Sequence, residues 1–190
     1  MSLGESPYSN MSMPLSKGRL CADRLTGWLG PFCERIEVAG SIRRGRPEVG
    51  DVDMVAIPKV LEDADMFGTV TGRRNLAAEA IRARVQKEGW ILSKDGADHL
   101  SWLAKTIQVD LWFATPRTWG SVLLCRTGSA QHNIWLAERA KAKGGHWNPH
   151  HGLRIPGQAH VVSETEDAIY QALGIAPIAP HARERGLLPA

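Results

Sequence analysis

Two aspartates separated by a single residue, Asp51 and Asp53, open a stretch that is otherwise apolar as far as Ile57. The stretch predicts a β-strand, and because side chains two residues apart leave a strand on the same face, the two carboxylates are expected side by side. Adjacent carboxylates on a half-buried strand repel each other and lose hydration, so they need a positive partner. The partner that carboxylate ligands favour, together with phosphate oxygens, is magnesium.

A third aspartate is predicted at the same place. Residues 106–113 alternate, which predicts another strand with its apolar side chains on one face and Asp110 on the other. Three carboxylates on neighbouring strands can hold two metal ions about 4 Å apart, so that one oxygen is activated and another is stabilised in line with it. We therefore expect Asp51, Asp53 and Asp110 to bind two Mg²⁺ ions, with Mn²⁺ also accepted, and to be the catalytic residues.

A phosphate-binding segment precedes these aspartates. Gly40 and Ser41 interrupt the chain where a predicted strand over residues 35–39 gives way to a turn or the start of a helix. Gly40 allows close approach of the backbone, and exposed N–H groups together with the Ser41 hydroxyl can bind a phosphate group. Arg43 and Arg44 can neutralise the charge of a polyphosphate. A phosphate site ahead of an Asp-x-Asp pair indicates nucleotidyl transfer, whereas an isolated Asp-x-Asp pair is more often a surface turn.

The elements around these residues predict a mixed sheet with helices, followed after Pro116 by a mostly helical part. Residues 1–13 lack periodicity and are expected to form a flexible tail. The further elements predicted from the spacing are helices over 17–32, 76–85, 130–143 and 165–173, strands over 90–93 and 99–104, and an irregular hairpin over 146–156.

Composition and length exclude several classes of protein. The chain has 190 residues, of which 43% are hydrophobic and 23% charged, as in an ordinary globular domain. No segment reaches the ~18–20 apolar residues of a membrane span, and the N-terminus lacks the pattern of a secretory signal. The three cysteines show no metal-type spacing, which fits a reduced setting. We expect a cytoplasmic protein that does not associate with membranes.

Positive charge is concentrated in the second part of the chain. The net charge is only +3, but residues 117–157 contain six basic residues against the single acid Glu138. Such a block suits a polyanion such as a nucleic-acid backbone, and a solvated helix face is the alternative. The histidines at positions 146, 150 and 151 are interpreted as loop residues beside a phosphate surface rather than as a metal cluster. For Trp112, Trp135 and Trp147, core packing and base stacking both remain open.

These motifs together resemble the family X DNA polymerases, in the nucleotidyltransferase superfamily that shares the polymerase-beta-like fold. Gly40-Ser41, nine further residues and then Asp51-x-Asp53 match the superfamily signature, and Asp110 lies in a string similar to the third metal-ligand strand. Residues 127–133, Thr-Gly-Ser-Ala-Gln-His-Asn, resemble the motif that positions the incoming nucleotide. The resemblance extends over about residues 14–184.

The resemblance implies an α+β fold with a catalytic palm over residues 14–116 and a C-terminal nucleotide-binding subdomain over residues 117–190. It implies that Asp110 positions or accepts the proton of the primer 3′-hydroxyl, that Gly128-Ser129 is a cis peptide close to the sugar, and that Asn133 reaches the base edge. The nucleotide-binding residues expected on this basis are Gly40, Ser41, Arg44, Gly50, Gly128, Ser129 and Asn133. Those expected to bind DNA are Arg126, Arg139, Lys141 and Lys143.

Some residues depart from the family pattern. Cys125-Arg126 stands where the family usually has an aromatic pair that crowds the sugar 2′ position, which implies weaker discrimination against ribonucleotides. Ala137 stands where an arginine commonly touches the template, and Ser12 lies near the place of an early phosphate-binding arginine. The matched part is a minimal core of the bacterial or phage type, and we expect no lyase or phosphoesterase domain.

Three functions follow as hypotheses. The first is a monomeric DNA-directed DNA polymerase that uses deoxynucleotides to fill short gaps or extend primer–template DNA in repair. The second is a template-independent or sugar-relaxed nucleotidyltransferase, suggested by Arg126 and Ala137. The third, a non-catalytic DNA-binding accessory protein, is disfavoured by the intact set of three aspartates.

Overall fold

A five-stranded mixed sheet lies at the centre of the structure, a computed structural model that describes residues 12–157 and 160–184. The strands are β1 (Met13–Pro14), β2 (Cys33–Val38), β3 (Glu48–Val49), β4 (Asp51–Pro58), β5 (Val60–Ala64), β6 (Val70–Asn75), β7 (Ile91–Asp95), β8 (His99–Ala104), β9 (Ile107–Phe113), β10 (His146–Asn148) and β11 (Gly152–Arg154). The helices are α1 (Leu15–Leu29), α2 (Gly40–Arg43), α3 (Leu76–Glu88), α4 (Trp119–Thr127), α5 (Ala130–Ala142) and α6 (Glu166–Leu173). Two short 3₁₀ segments cover Gly30–Phe32 and Pro180–Ala182.

The strand order of the central sheet is β2-β4-β9-β8-β7. Strands β4 and β9 run parallel, and every other neighbouring pair is antiparallel. In the parallel pair Asp53 lies opposite Asp110, and Asp51 lies opposite Gln108. Because side chains alternate along each strand, this register places all three aspartates on one face of the sheet.

The opposite face of the sheet carries the main hydrophobic core. Helices α1 and α3 cover it, and their apolar side chains pack against the alternate residues of β4 and β9. The largest fully buried side chains of this cluster are Leu29, Met54, Ile81, Leu100, Trp102 and Leu111. The aspartates therefore stand on a face that is supported from behind by a close-packed layer.

Helix α4 joins the sheet to the C-terminal part of the chain. Its residues Val122 and Leu123 pack against Val55 and Ile57 on the same face as the aspartates. Its residue Leu124 contributes to a second core formed by α5, α6 and the β10–β11 hairpin. The end of α4 is thus fixed beside the carboxylates by packing on two sides.

Local signals set the ends of the helices. The Asn75 side chain accepts a hydrogen bond from the Ala78 N–H at the start of α3, and Gly89 ends this helix with a φ of 65°. Thr165 caps α6 in the same way by accepting from the Ala168 N–H. The predicted elements over 76–85, 130–143 and 165–173 are confirmed as α3, α5 and α6, with ends that differ by a few residues.

Two features differ from the sequence-based expectation. The predicted flexible tail, residues 1–13, lies outside the described residues except for its end, where Met13 is buried and pairs with Val49 in a short β-ribbon. The β5–β6 hairpin was not predicted, and its tip exposes the side chains of Met66 and Phe67. In the described part of the chain, no helix combines the length and apolar character needed to cross a membrane.

Candidate active site

Asp51, Asp53 and Asp110 come together as the spacing predicts. Each offers a carboxylate oxygen, and these oxygens all lie within 4.8 Å of one another. The parallel register of β4 and β9 produces this arrangement, because it sets Asp53 beside Asp110 and Asp51 two residues away on the same face. The three side chains are half-buried, so each carboxylate has lost part of its hydration.

Burial and mutual repulsion disfavour the ionised form of the carboxylates in this cluster. Burial, together with the neighbouring Asp51 and Asp110 carboxylates, raises the pKa of Asp53 to about 7. Burial and the Asp110 carboxylate also raise the pKa of Asp51, and the positive charge of Arg44 acts in the opposite direction. Ordinary aspartates titrate near pH 4, so the positive charge that the protein itself supplies does not offset the burial and the mutual repulsion of Asp51 and Asp53.

The donor set fits a hard divalent cation. All three ligand atoms are carboxylate oxygens, which suit Mg²⁺ and Mn²⁺ rather than softer metals. Within the described ranges, no lysine or arginine forms an ion pair with any of the three carboxylates. A cation held by Asp51, Asp53 and Asp110 would therefore supply the positive charge that the surrounding side chains do not provide.

The segment that precedes the aspartates lies directly against them. Gly40 has a φ of +57°, and a Cβ atom at this position would lie only 2.0 Å from Oδ2 of Asp53. The Ala39 N–H donates to the Asp53 carbonyl oxygen at 2.8 Å, which fixes the turn to β4. The hydroxyl of Ser41 is buried and has no hydrogen-bond partner among the described residues. An unpartnered buried hydroxyl beside a carboxylate cluster is the kind of group that a phosphate oxygen satisfies.

The two arginines that follow are already bound to the C-terminal part of the chain. Arg43 donates to both carboxylate oxygens of Glu166, at 2.8 and 2.7 Å. Arg44, expected to hold phosphates, donates to Glu184 at 2.7 Å and to the Thr127 carbonyl oxygen. Gly50, the other residue expected near the phosphates, is exposed.

The nucleotide-positioning motif lies at the junction of α4 and α5. The peptide bond between Gly128 and Ser129 is cis, as the resemblance implied. The Ser129 hydroxyl caps α5 and also donates to the Arg183 carbonyl oxygen at 2.5 Å. The Asn133 side-chain nitrogen donates to the Cys125 carbonyl oxygen at 2.9 Å, and its Oδ1 is buried with no hydrogen-bond partner in the described part of the chain. The base-edge role expected for Asn133 remains a prediction.

Arg126 lies beside the aspartates rather than on the outer surface. Its guanidinium carbon is 3.2 Å from the ring centre of Trp112, which leaves β9 on the same face as Asp110. Burial lowers the pKa of Arg126, and the nearby Asp53 and Asp110 carboxylates partly oppose this effect. Core packing and base stacking were the two roles left open for Trp112. The structure shows a different one, because the Trp112 ring holds the Arg126 guanidinium next to the carboxylates.

Sequence reasoning missed His99 as a site residue. Its Nε2 lies 2.7 Å from Oδ1 of Asp110, and its ring stacks on Trp112 with the ring centres 3.6 Å apart. Burial lowers the pKa of His99, although Asp110 acts in the opposite direction. The available signal was its position at the start of the predicted strand over 99–104, but the cross-strand register that brings it to Asp110 is not visible in the sequence.

The remaining residues expected to bind DNA are clustered at the end of α5. Lys141 and Lys143 are exposed, and the Arg139 guanidinium lies 5.1 Å from the ring centre of Trp135. Trp147 is buried in the second core and donates from Nε1 to the Ser121 hydroxyl at 2.9 Å, so packing explains it.

Comparison with known proteins agrees with this architecture. Residues 122–184 match the DNA polymerase beta thumb family. Among solved structures, the Leishmania infantum polymerase beta in a ternary P/T complex superimposes with a TM-score of 0.71 and 18% sequence identity. The match covers 93% of this chain and 78% of that chain, and no curated protein matches the sequence. At this identity the shared property is the fold, and the predicted mixed α/β architecture with its polymerase-beta-like central sheet is confirmed.

Proposed function

We propose that this family X polymerase-like protein is a metal-dependent DNA-directed DNA polymerase that fills short gaps during repair. The observation that carries the proposal is the convergence of three carboxylates within 4.8 Å, next to the Ser41 hydroxyl, which is buried and unpartnered among the residues that the structure describes. Such a site joins a place for divalent cations to a place for phosphate. The reaction forms a bond between the primer 3′-oxygen and the α-phosphorus, and the bond from this phosphorus to pyrophosphate breaks.

The protein's own groups position the reactants in this proposal. Asp110 orients the primer 3′-hydroxyl and accepts its proton, while Ser41 and the backbone near Gly40 and Gly50 bind the β- and γ-phosphates. Asp51, Asp53 and Asp110 would hold divalent cations, which would supply charge neutralisation at the phosphates and a lower pKa of the attacking hydroxyl. Arg44 joins the phosphate contacts by exchanging its Glu184 partner for phosphate oxygens.

The thumb match and the basic residues support DNA as the partner. The matched residues 122–184 include Arg126, Arg139, Lys141 and Lys143. The Leishmania protein that shares the fold was solved as a ternary P/T complex, which supports the same class of partner here. In this proposal residues 14–116 form the catalytic palm, and residues 117–190 bind the incoming deoxynucleotide and the duplex.

A second candidate function, relaxed selection of the sugar, is favoured by Arg126. The guanidinium stacks on Trp112 beside the carboxylates, in the segment just before the Gly128-Ser129 peptide that is expected to pass the sugar. A cation at this place attracts phosphate and hydroxyl groups and provides no aromatic wall against a 2′-hydroxyl. Ribonucleotides would then be used at rates closer to those of deoxynucleotides.

Primer extension tests both functions. A gapped duplex and a single strand are each incubated with Mg²⁺ or Mn²⁺ and with four deoxynucleotides or four ribonucleotides. We expect templated extension of the gapped duplex, with Asp110→Ala still binding DNA but extending nothing. Asp98→Asn is the matched control, because Asp98 is an exposed aspartate outside the cluster.

Each outcome assigns the protein to one hypothesis. Templated products establish the polymerase, and the ribonucleotide lanes decide whether Arg126 relaxes sugar choice. Untemplated tailing of the single strand would instead establish terminal transfer. Extension by Asp110→Ala at the wild-type rate would overturn the site assignment, and no product with either metal would favour an accessory role.

A further inference from the structure

We infer that His99 is a positioning residue for Asp110: its Nε2–H holds one oxygen of the Asp110 carboxylate and so fixes the orientation of this carboxylate in the metal cluster. The inference deepens the proposed function and rests on it, because it concerns how the same site is held ready. It starts from the shortest side-chain contact that the structure gives to Asp110, the 2.7 Å distance between His99 Nε2 and Asp110 Oδ1.

The sheet register produces this contact. Across the β8–β9 pair, His99 lies opposite Trp112, and Ser101 lies opposite Asp110. The imidazole therefore reaches Asp110 diagonally, two residues along the neighbouring strand, which is within range of a long side chain. Both strands are internal to the five-stranded sheet, so their spacing is set on both sides.

The ring of His99 has little freedom to turn away. It stacks on Trp112 with the ring planes only 5° apart, and the Arg126 guanidinium also lies over the Trp112 ring. His99 is only 8% exposed, so few rotamers are compatible with its surroundings. A hydrogen-bond donor fixed in this way fixes its acceptor as well.

A purely structural role does not account for the choice of histidine. Nδ1 of His99 is buried and has no hydrogen-bond partner among the described residues. An aromatic hydrocarbon such as phenylalanine would stack on Trp112 without leaving a buried polar atom unsatisfied. What histidine adds at this position is the Nε2–H donor, which is present in both the neutral Nε2–H tautomer and the imidazolium.

The consequence concerns the three-carboxylate cluster. With Oδ1 bound by His99, the Asp110 carboxylate cannot rotate freely about its Cβ–Cγ bond. Its remaining lone pairs are then directed to the place where the Asp51 and Asp53 oxygens converge. Donors that orient a metal-binding side chain typically contribute about 10- to 100-fold in metal affinity or activity.

The test uses three substitutions of His99 in the full chain. His99→Phe keeps the stack and removes the donor, and His99→Asn keeps an amide that is too short to reach Asp110. His99→Gln places a side-chain N–H donor near the position of Nε2. The first readout is Mn²⁺ affinity without DNA or nucleotide, measured by electron paramagnetic resonance, and the second is kcat for primer extension at saturating deoxynucleotide.

We expect His99→Phe and His99→Asn to weaken Mn²⁺ binding and to lower kcat, each by about 10- to 100-fold, with DNA affinity unchanged. His99→Gln should restore both values to within a few-fold of wild type. His151→Phe, a substitution of an exposed loop histidine, is the matched control and should leave Mn²⁺ affinity unchanged.

Two results would overturn the inference. One is wild-type Mn²⁺ affinity and kcat in His99→Phe, and the other is a His99→Gln protein as impaired as His99→Phe. If the wild-type protein extends no primer, the proposed function fails, but the Mn²⁺ comparison between wild type and the His99 variants still decides whether His99 positions Asp110.

Discussion

Two kinds of buried carboxylate occur in this protein, and their surroundings separate their roles. Burial alone would raise the pKa of Glu166, but hydrogen bonds from Arg43 and Arg183 hold the pKa of this carboxyl below its usual range. The pKa of Asp53 is raised to about 7 by burial and by its acidic neighbours. Glu166 is therefore a paired structural group, whereas the ionised form of Asp53 is destabilised by burial and by its acidic neighbours. A group of the second kind marks a place where a ligand has to supply the missing charge.

At the residue scale this difference predicts that Asp53→Asn stabilises the metal-free protein while it abolishes primer extension. Between the ordinary value of 3.8 and the folded-state pKa of about 7, the folded chain retains a proton that the unfolded chain has released. The free energy of unfolding contributed by Asp53 therefore falls as the pH rises through this window and stays low above it. Denaturant unfolding at pH 5 and pH 8 measures the effect, and Asp53→Asn should be less sensitive to this change of pH.

Addition of Mg²⁺ provides the control for this prediction. At a concentration ten times its dissociation constant, a ligand that binds only the folded state adds about 1.4 kcal/mol to the free energy of unfolding. Wild type should gain this stability at pH 8, and Asp53→Asn should not. A variant that is less stable than wild type without metal at pH 8 would contradict the interpretation of Asp53 as a destabilised ligand.

At the scale of elements, the sequence predicts well on which face of a strand a side chain lies, and predicts poorly which strands are neighbours. The Asp-x-Asp spacing at residues 51–53 and the alternation in residues 106–113 are sufficient to place Asp51, Asp53 and Asp110 on the faces of their strands away from the apolar core, because the side-chain period of a strand is two. The contact between His99 and Asp110 depends on which strands pair and in what register, and no local pattern encodes this. The same applies to Arg126, whose position is fixed by the packing of α4 between two cores.

The unpredicted β5–β6 hairpin has a different cause. Its strands are exposed along nearly their whole length, so burial imposes no strict alternation on residues 60–75. The turn is instead formed by Asp65, which accepts backbone hydrogen bonds from Phe67 and Thr69 at 2.9 Å each. Because burial constrains this hairpin so little, the turn is its main signal in the sequence.

Helix α4 has to approach α6 closely, which gives a prediction at the same scale. A Cβ atom at Gly120 would lie 2.2 Å from the carbonyl carbon of Thr165, the residue that caps α6. Because the clashing atoms belong to the backbone, no side chain can rotate to make room for the new methyl group. Gly120→Ala should therefore force α4 and α6 apart and lower the free energy of unfolding by about 3 kcal/mol or more. Denaturant unfolding measures this loss, and primer extension should fall with it because Arg126 is on the same helix.

Gly27→Ala is the matched control for Gly120→Ala. Gly27 lies in the exposed face of α1, and a Cβ atom there would meet nothing within 4 Å. Alanine at such a position is expected to stabilise the helix by about 0.5–1 kcal/mol. Equal stability of the two variants would show that α4 and α6 are not in the close contact described here.

At the scale of the whole molecule, the phosphate segment and the C-terminal part are connected by charge. Arg43 and Arg183 share Glu166, and Arg44 and Glu184 form a second pair. These pairs cross from α2, beside the aspartates, to the region around α6 and the 3₁₀ segment at Pro180–Ala182. Ion pairs therefore connect the residues that would contact phosphates with those that match the thumb family.

The distribution of charge over the whole molecule leads to the last prediction, which concerns DNA binding. The exposed positive charges at the end of α5 lie in the matched thumb region, while the face behind the sheet carries other basic residues around α1 and α3. Each phosphate contact that a protein loses reduces the slope of log K against log salt by about 0.9 for duplex DNA. Replacement of Arg139, Lys141 and Lys143 by glutamine should therefore reduce the slope by about 2 to 3, measured by fluorescence anisotropy with a gapped duplex.

A second triple variant separates local contacts from net charge. This variant also removes three positive charges, but from the opposite side of the sheet, by the substitutions Arg24→Gln, Lys87→Gln and Lys105→Asn. Asparagine is chosen at position 105 because it tolerates the φ of 60° there. If DNA lies along α5, this variant binds with a nearly wild-type slope, because charges farther away than about 10 Å are largely screened at 0.1 M salt. Equal slopes in the two triple variants would mean that only the total charge matters, and the DNA path would then have to be placed elsewhere on the surface.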